Sequence, residues 1–175
     1  GYQLVYKNGK KKIEQFFHME FKETNKPMEQ IVEEIDKAMK DSVKHHEIAD
    51  VEVGSFLSSG IDSSYLVSIA KPDKPYTVGY DNPKYDEISY AKDLAKKLNI
   101  DNKSKKITKK EYMKAFSNIM YHMDEPLADP SAIALYFVAQ IAAKDVKVVM
   151  SGEGADEFFG WYNTYKEEID QSWYM

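Results

Sequence analysis

The sequence predicts an α/β fold: an open parallel sheet with helices on both faces, preceded by an N-terminal β-hairpin and a long helix. Three observations carry this expectation. Short β-type apolar runs alternate with stretches of helical spacing along most of the 175 residues, the pattern of strands joined by right-handed helical crossovers. Two of those runs end in Ser/Gly-rich loops, the position at which such sheets bind ligands. A composition of 43% hydrophobic and 30% charged residues is that of a globular domain with its own core.

Each element has its own signal. Residues 2–18 alternate polar and apolar side chains around Asn8-Gly9, the pair a type I′ turn demands, and predict the hairpin. After Pro27, which suits a first helical turn, Met28, Ile31, Val32, Ile35, Ala38, Met39 and Val43 keep helical spacing to about His46. His45 and His46 then lie where imidazoles meet the last carbonyls of a helix. Val51, Val53, Phe56 and Leu57 form a strand that runs through a serine-rich loop into helical spacing at Tyr65, Leu66 and Ile69. A strand at 76–80, a helix at about 85–98, a strand at 103–107 and a helix capped by Thr108 follow. A helix at 131–143 and a buried strand at 146–150 complete the alternation, with Phe116, Tyr136 and Phe137 spaced as core residues.

Composition also excludes. Without cysteine there is no disulfide framework, thiolate metal site or cysteine nucleophile in this chain. All 24 basic residues are lysines, so no guanidinium fork is available and an anion site must use backbone N–H groups, lysine or a metal. The net charge of −5 argues against nucleic acid, and the run Lys103, Lys105, Lys106, Lys109, Lys110 reads as a solvated face. No apolar run approaches bilayer length, so no membrane is expected and the location is read as cytoplasmic. His18, His45, His46 and His122 lack ligand spacing, and no zinc is assigned.

Two segments carry chemistry. Leu57-Ser58-Ser59-Gly60-Ile61-Asp62-Ser63-Ser64 stands between a strand end and a helix start. Small residues there let the backbone approach an anion, and turn and helix N–H groups point at it; the plainer reading is a serine-capped helix. The spacing matches neither the lysine-bearing nucleotide loop nor the dinucleotide fingerprint. The second segment, Ser151-Gly152-Glu153-Gly154-Ala155-Asp156-Glu157, follows the 146–150 strand. Asp62 and Asp156, one from each loop, are the pair that could hold Mg2+ together with phosphate and water. Glu157 serves equally as an acidic residue at a helix start.

The first string resembles the pyrophosphate loop, S-G-G-x-D-S, of the N-type ATP pyrophosphatases. The second is similar to the S-G-E-G-[AS]-D-E signature of the asparagine synthetases, and the likeness continues through Val78-Gly79-Tyr80, Tyr85-Asp86-Glu87 and the segment from Asp124 to Ser131. The fold this implies is Rossmann-like, of the adenine nucleotide alpha hydrolase type. The activity it implies is ATP-dependent conversion of the aspartate side-chain carboxylate to a β-aspartyl-adenylate with release of pyrophosphate. Attack by ammonia then gives asparagine and AMP. On this resemblance Leu57, Val78 and Gly79 meet the adenosine, and Ser151 and Gly152 the α-phosphate. Ser58, Ser59, Gly60, Ser63 and Ser64 surround the pyrophosphate. Asp62 and Asp156 hold Mg2+, and Glu153 orients the adenylate or takes a proton from ammonia.

The same resemblance makes residues 1–26 a remnant of an interdomain region and 27–175 part of the synthetase domain. A glutaminase domain that delivers ammonia and the family's later helices lie outside the chain, which is expected not to use glutamine alone, and a homodimer is expected at full length. Ser59 departs from the second loop glycine and Trp161 from an expected glycine. Glu52 stands where proline is usual and His46 where arginine is common. Two other readings stand beside this one: a relative that adenylates another carboxylate, of the β-lactam-forming or peptide-cyclising type, and a catalytically silent ATP-binding module.

Overall fold

The computed structural model describes residues 1–20, 22–82, 86–125, 129 and 131–165, which fall into two compact units, Gly1–Lys37 and Ala38–Met175. In the first unit β1 (Tyr2–Lys7) and β2 (Lys10–Gln15) pair antiparallel, with Leu4 opposite Ile13. Asn8 and Gly9 have φ of 52° and 74°, the paired left-handed conformation that reverses a hairpin without splaying its strands. The ladder stops at Gln15, short of the predicted residue 18, where the adjacent Phe16 and Phe17 break the alternation. Helix α1 (Met28–His46) begins directly after Pro27. Near its end the Nδ1 atoms of His45 and His46 lie 2.7 and 2.8 Å from the carbonyls of Asp41 and Ser42.

The second unit holds the sheet. Strands β3 (Val53–Phe56), β4 (Pro75–Tyr80), β5 (Lys103–Ile107) and β6 (Val148–Met150) are parallel in the order β5-β4-β3-β6. They alternate with α2 (Ile61–Ala70), α3 (Ile88–Leu98), α4 (Lys109–His122) and α5 (Ser131–Ala142), and a short α6 (Ala155–Phe159) follows β6. The period-two pleat divides the strand side chains between two faces. On one face Tyr76 packs with Val138, Ala142 and Val146, and Ile107 with Ile119, Ile133 and Phe137. On the other, Leu57 packs with Val67 and Ala91, and Met150 with Val43 and Leu66. This two-sided burial bears out the predicted parallel α/β architecture. Among the described residues no helix is long and apolar enough to cross a membrane.

Polar groups pin the layers. The buried Tyr76 hydroxyl donates to Asp145 Oδ2 at 3.2 Å, and Lys103 reaches the same oxygen at 2.8 Å. Burial, reinforced by the Asp145 carboxylate, pushes the Tyr76 phenol up to about 12. The Asp86 carboxylate accepts from the Ser89 hydroxyl and the Ile88 N–H, both at 3.0 Å, and these bonds, the first most, hold it below the usual range. That cap starts α3 at Ile88; Tyr85, the predicted start, lies outside the described residues.

Two expectations are corrected. The last strand begins at Val148, not 146: Val146 is buried against Tyr76 and Val138 before the strand starts, while Val148 is 41% exposed. Of the three spaced aromatics only Phe137 is fully buried. Phe116 is exposed and stacks on Tyr112 with ring centroids 6.4 Å apart, because helical spacing continues past the edge of the layer it packs on.

The start of α4 is a capping box. Thr108 Oγ1 accepts from the Glu111 N–H at 3.2 Å, and the Glu111 carboxylate accepts from the Thr108 N–H at 2.9 Å. The Thr108 N–H, then Lys105 and the Thr108 hydroxyl, hold the Glu111 carboxyl down to about 2. Thr108→Ala is expected to cost about 1 kcal/mol in urea unfolding. Since the folded pKa is depressed, the contribution of Glu111 is complete above its unfolded value near ~4.3 and is lost as pH falls through about 2. The stability gap between the native chain and Glu111→Gln should therefore be widest near neutrality and close in acid. Gly54→Ala is expected to destabilise by about 1–3 kcal/mol, measured by the same unfolding. Its Cβ would stand 2.8 Å from Tyr76 Cε2 and 2.9 Å from the Lys74 carbonyl, which cannot retreat without losing its bond from the Ser55 N–H.

Candidate functional site

The parallel pairing of β3 with β6 sets Ser55 opposite Met150, and the buried Ser55 hydroxyl donates to the Met150 carbonyl at 3.3 Å. The loops that leave these two strands are therefore neighbours at the carboxyl edge of the sheet. Gly152 is the point of contact. A Cβ there would lie 3.2 Å from the Ser63 nitrogen and 3.3 Å from Asp62 Cβ. Two residues on, Gly154 has φ of 91°, a left-handed conformation that turns the chain into α6 and that side chains disfavour.

The serine-rich loop is held by its own hydroxyls. Ser63 Oγ accepts from the Ser58 N–H at 3.1 Å and lies 2.8 Å from Ser58 Oγ, which accepts from the Gly60 N–H at 3.1 Å. Ser64 Oγ donates to the Gly60 carbonyl at 2.7 Å. Gly60, the residue before α2, supplies no side-chain cap, so the first-turn N–H groups of the helix are not capped by a side chain. The plainer reading, a serine-capped helix, is not what the structure has: the helix end carries no side-chain cap and the serines brace the loop.

These loops, β4 and α5 enclose a cleft of about 340 Å3. Of the residues singled out in the sequence, Leu57, Ser58, Gly60, Asp62, Ser63, Val78, Ser151, Gly152, Glu153 and Asp156 line it. Ser59, Ser64 and Gly79 do not. Ser59 is exposed, Ser64 is turned to Gly60, and Gly79 is buried on the far side of β4, where a Cβ would stand 3.0 Å from Ile88 Cγ1. Sequence reasoning missed one wall: Ser131, Ala134, Leu135 and Val138 present a stripe of α5 to the cleft, a spacing that also reads as plain core. Phe56, Tyr76, Glu87, Gly154, Glu157 and Tyr162 complete the lining. The Tyr162 hydroxyl donates to Glu157 Oε1 at 3.1 Å, and that bond pushes its phenol up.

Charge is one-sided here. Asp62, Glu87, Glu153, Asp156 and Glu157 line the cleft, and no lysine does among the described residues. A polyanion could enter only with cations and with N–H donors from the loops. Asp62 and Asp156 supply hard carboxylate oxygens from the two touching loops. Among the described residues no group of three or more His, Asp or Glu side chains closes on one point. Two carboxylates with remaining positions left to phosphate and water is a donor set that fits Mg2+.

The two departures noted in the loops are harmless to this geometry. Ser59 is not among the residues with positive φ, so a second glycine is not needed there. Trp161 is 68% exposed and does not line the cleft, because Gly160 at φ of 65° turns the chain outward before it. Of the likeness noted from Asp124 to Ser131, residues 126–128 and 130 lie outside the described residues.

A family model described as Asparagine synthase matches residues 34–175. The chain is 48% identical over 88% of its length to Asparagine synthetase [glutamine-hydrolyzing] 1 of Bacillus subtilis, and spans 25% of that protein. It is 28% identical over 74% of its length to Asparagine synthetase B [glutamine-hydrolyzing] of Escherichia coli, spanning 27% of it. An ammonia-dependent NAD synthetase structure from Campylobacter jejuni aligns with a TM-score of 0.48 at 15% identity, over 76% of this chain and 62% of that one. The chain thus spans about a quarter of the length of these curated relatives. With the serine loop, the S-G-E-G-A-D-E loop beside it and a family match over most of its length, the chain belongs to the asparagine synthase family.

Proposed function

We propose that this chain carries the ATP-binding part of a cytoplasmic, ATP-dependent ligase that converts aspartate to asparagine. The observation that supports this most is the contact of Gly152 with Ser63 and Asp62, which makes one site of two loops that each bear a nucleotide-type sequence. In the reading proposed, an oxygen of the aspartate side-chain carboxylate attacks the α-phosphorus of ATP and pyrophosphate leaves. Ammonia then attacks the carbonyl carbon of the β-aspartyl-adenylate, and AMP departs with the bonding electrons. Neither step needs a covalent bond to the protein; both need positioning and charge neutralisation.

The residues divide that work. Ser58, Gly60, Ser63 and the first-turn N–H groups of α2 receive the pyrophosphate end, with Ser64 bracing the loop through the Gly60 carbonyl and Ser59 exposed beside it. Ser151 and Gly152 meet the α-phosphate. Leu57 and Val78, beside the apolar stripe of α5, take the adenosine. Asp62 and Asp156 would hold Mg2+, which supplies positive charge to the phosphates in a cleft otherwise lined with carboxylates. Glu153 orients the adenylate or takes the proton that the attacking ammonia sheds. Residues 1–26 are read as an interdomain remnant and 27–175 as part of the synthetase domain. Ammonia is supplied by a glutaminase domain outside this chain, as the names of the glutamine-hydrolysing relatives suggest, and the full-length protein is read as a homodimer.

Calorimetric titration with Mg·ATP, with and without aspartate, together with a pyrophosphate-release assay, tests the reading. Asp62→Asn and Asp156→Asn should each weaken Mg·ATP binding roughly tenfold, about 1.4 kcal/mol. Glu153→Gln should leave that affinity within about twofold and slow amide formation by about 10²–10⁴. Unchanged affinity in both aspartate variants sinks the metal assignment. Pyrophosphate release that follows a carboxylate other than aspartate moves the chain to another acceptor class, and binding without release under any acceptor makes it a nucleotide-holding module.

A further inference from the structure

We infer that Glu87 reads the ribose of the bound nucleotide, its carboxylate accepting hydrogen bonds from the vicinal hydroxyls. This rests on the ATP reading above. Among the five carboxylates that line the cleft, Asp62, Glu153, Asp156 and Glu157 follow β3 or β6, where the two anion-type loops meet. Glu87 alone follows β4, one strand further along the sheet. Its backbone nitrogen would stand 3.6 Å from a Cβ on Gly79, near the end of β4, and Glu87 lines the cleft together with Val78.

The two ends of the cleft differ in chemistry. The β3/β6 end offers N–H groups and hydroxyls; the β4 end offers Val78, Ala134, Leu135 and Val138. A nucleotide with its phosphates at the first end sets its base against the second and its sugar between them. A carboxylate at that point repels phosphate and welcomes neutral O–H donors. The Glu87 carboxylate bears on the Tyr80 phenol, which burial, then Tyr112 and Glu87, push up, and it is not spent on the helix start. The neighbouring Asp86 carboxylate caps α3, whereas Glu87 occupies the N-cap position with no side-chain cap bond. Dinucleotide-binding parallel α/β sheets use an acidic residue past the first loop to bond the ribose 2′-hydroxyl, and the same chemistry is available to Glu87 here.

Titration of the chain with ATP and with 2′-deoxy-ATP, each with Mg2+, tests this in the native sequence, Glu87→Ala and Glu87→Gln. A hydrogen bond to a charged acceptor predicts that ATP binds about tenfold more tightly than 2′-deoxy-ATP. Glu87→Ala should bring the two within about twofold by weakening ATP alone, and Glu87→Gln, which keeps one carbonyl acceptor, should fall between. If Glu87→Ala weakens both nucleotides equally, Glu87 is a structural residue of the α3 start and the inference fails. A preserved ratio, or a loss confined to the aspartate dependence, overturns it as well. Failure of the native chain to bind either nucleotide overturns the ATP reading itself, an outcome distinct from binding without discrimination.

Discussion

The contact on which the site depends is the parallel pairing of β3 with β6. Ser55 and Met150, 95 residues apart in sequence, are bonded through a side chain inside the sheet, and Gly54 is small enough to let Tyr76 lie across the opposite face. Once that register is set, both loops must emerge at the same edge, because parallel strands present their carboxyl ends together. Gly152 then decides how close the loops come. The absence of one methyl group allows backbone contact with Ser63, and the two half-sites become a single cleft. A register shift of one residue would turn Met150 from its packing on Val43 and Leu66 to the other face, so core burial and site assembly are secured by the same interaction.

Charge follows a division of labour that a chain without arginine enforces. Lys103 pairs with Asp145 at 2.8 Å, Lys105 with Glu111 at 2.9 Å, Lys106 with Asp81 at 3.0 Å and Lys74 with Glu52 at 2.6 Å. These ammonium groups are engaged at strand ends and surfaces, and such partly exposed pairs contribute little stability each. Among the described residues, the charged side chains that line the cleft are carboxylates. On the proposed reading, anion recognition there falls to backbone N–H groups and to a cation that enters with the substrate, while the serine hydroxyls shape the loop.

Much of this was legible in residue order. The hairpin at Asn8-Gly9, α1 from Met28 to His46, β5 and the Thr108 cap all follow from local rules, because turn geometry, 3.6-residue spacing and side-chain capping act within a few residues. The two loop strings stood out for the same reason: small residues and carboxylates at a strand end announce backbone approach and charge. The boundary at 146–150 was less legible, since an apolar run does not say which of its valines pairs in a sheet and which, like Val146, packs beneath it. Phe116 had the spacing of a core residue and not the burial, which depends on where the neighbouring layer ends.

By itself, then, the sequence determined the identity and order of the elements, the parallel α/β class and the residues of both loops, all properties of local periodicity and composition. Tertiary structure decided what those residues face. It turned Gly79 toward Ile88 and away from the cleft, and spent Ser64 on the Gly60 carbonyl. It brought a stripe of α5 in as the apolar wall, and left Glu87 in the cleft lining while Asp86 capped a helix. None of these follows from spacing, because the side on which a strand residue lies, and the partner a carboxylate finds, are set by strand order and by which loop packs against which.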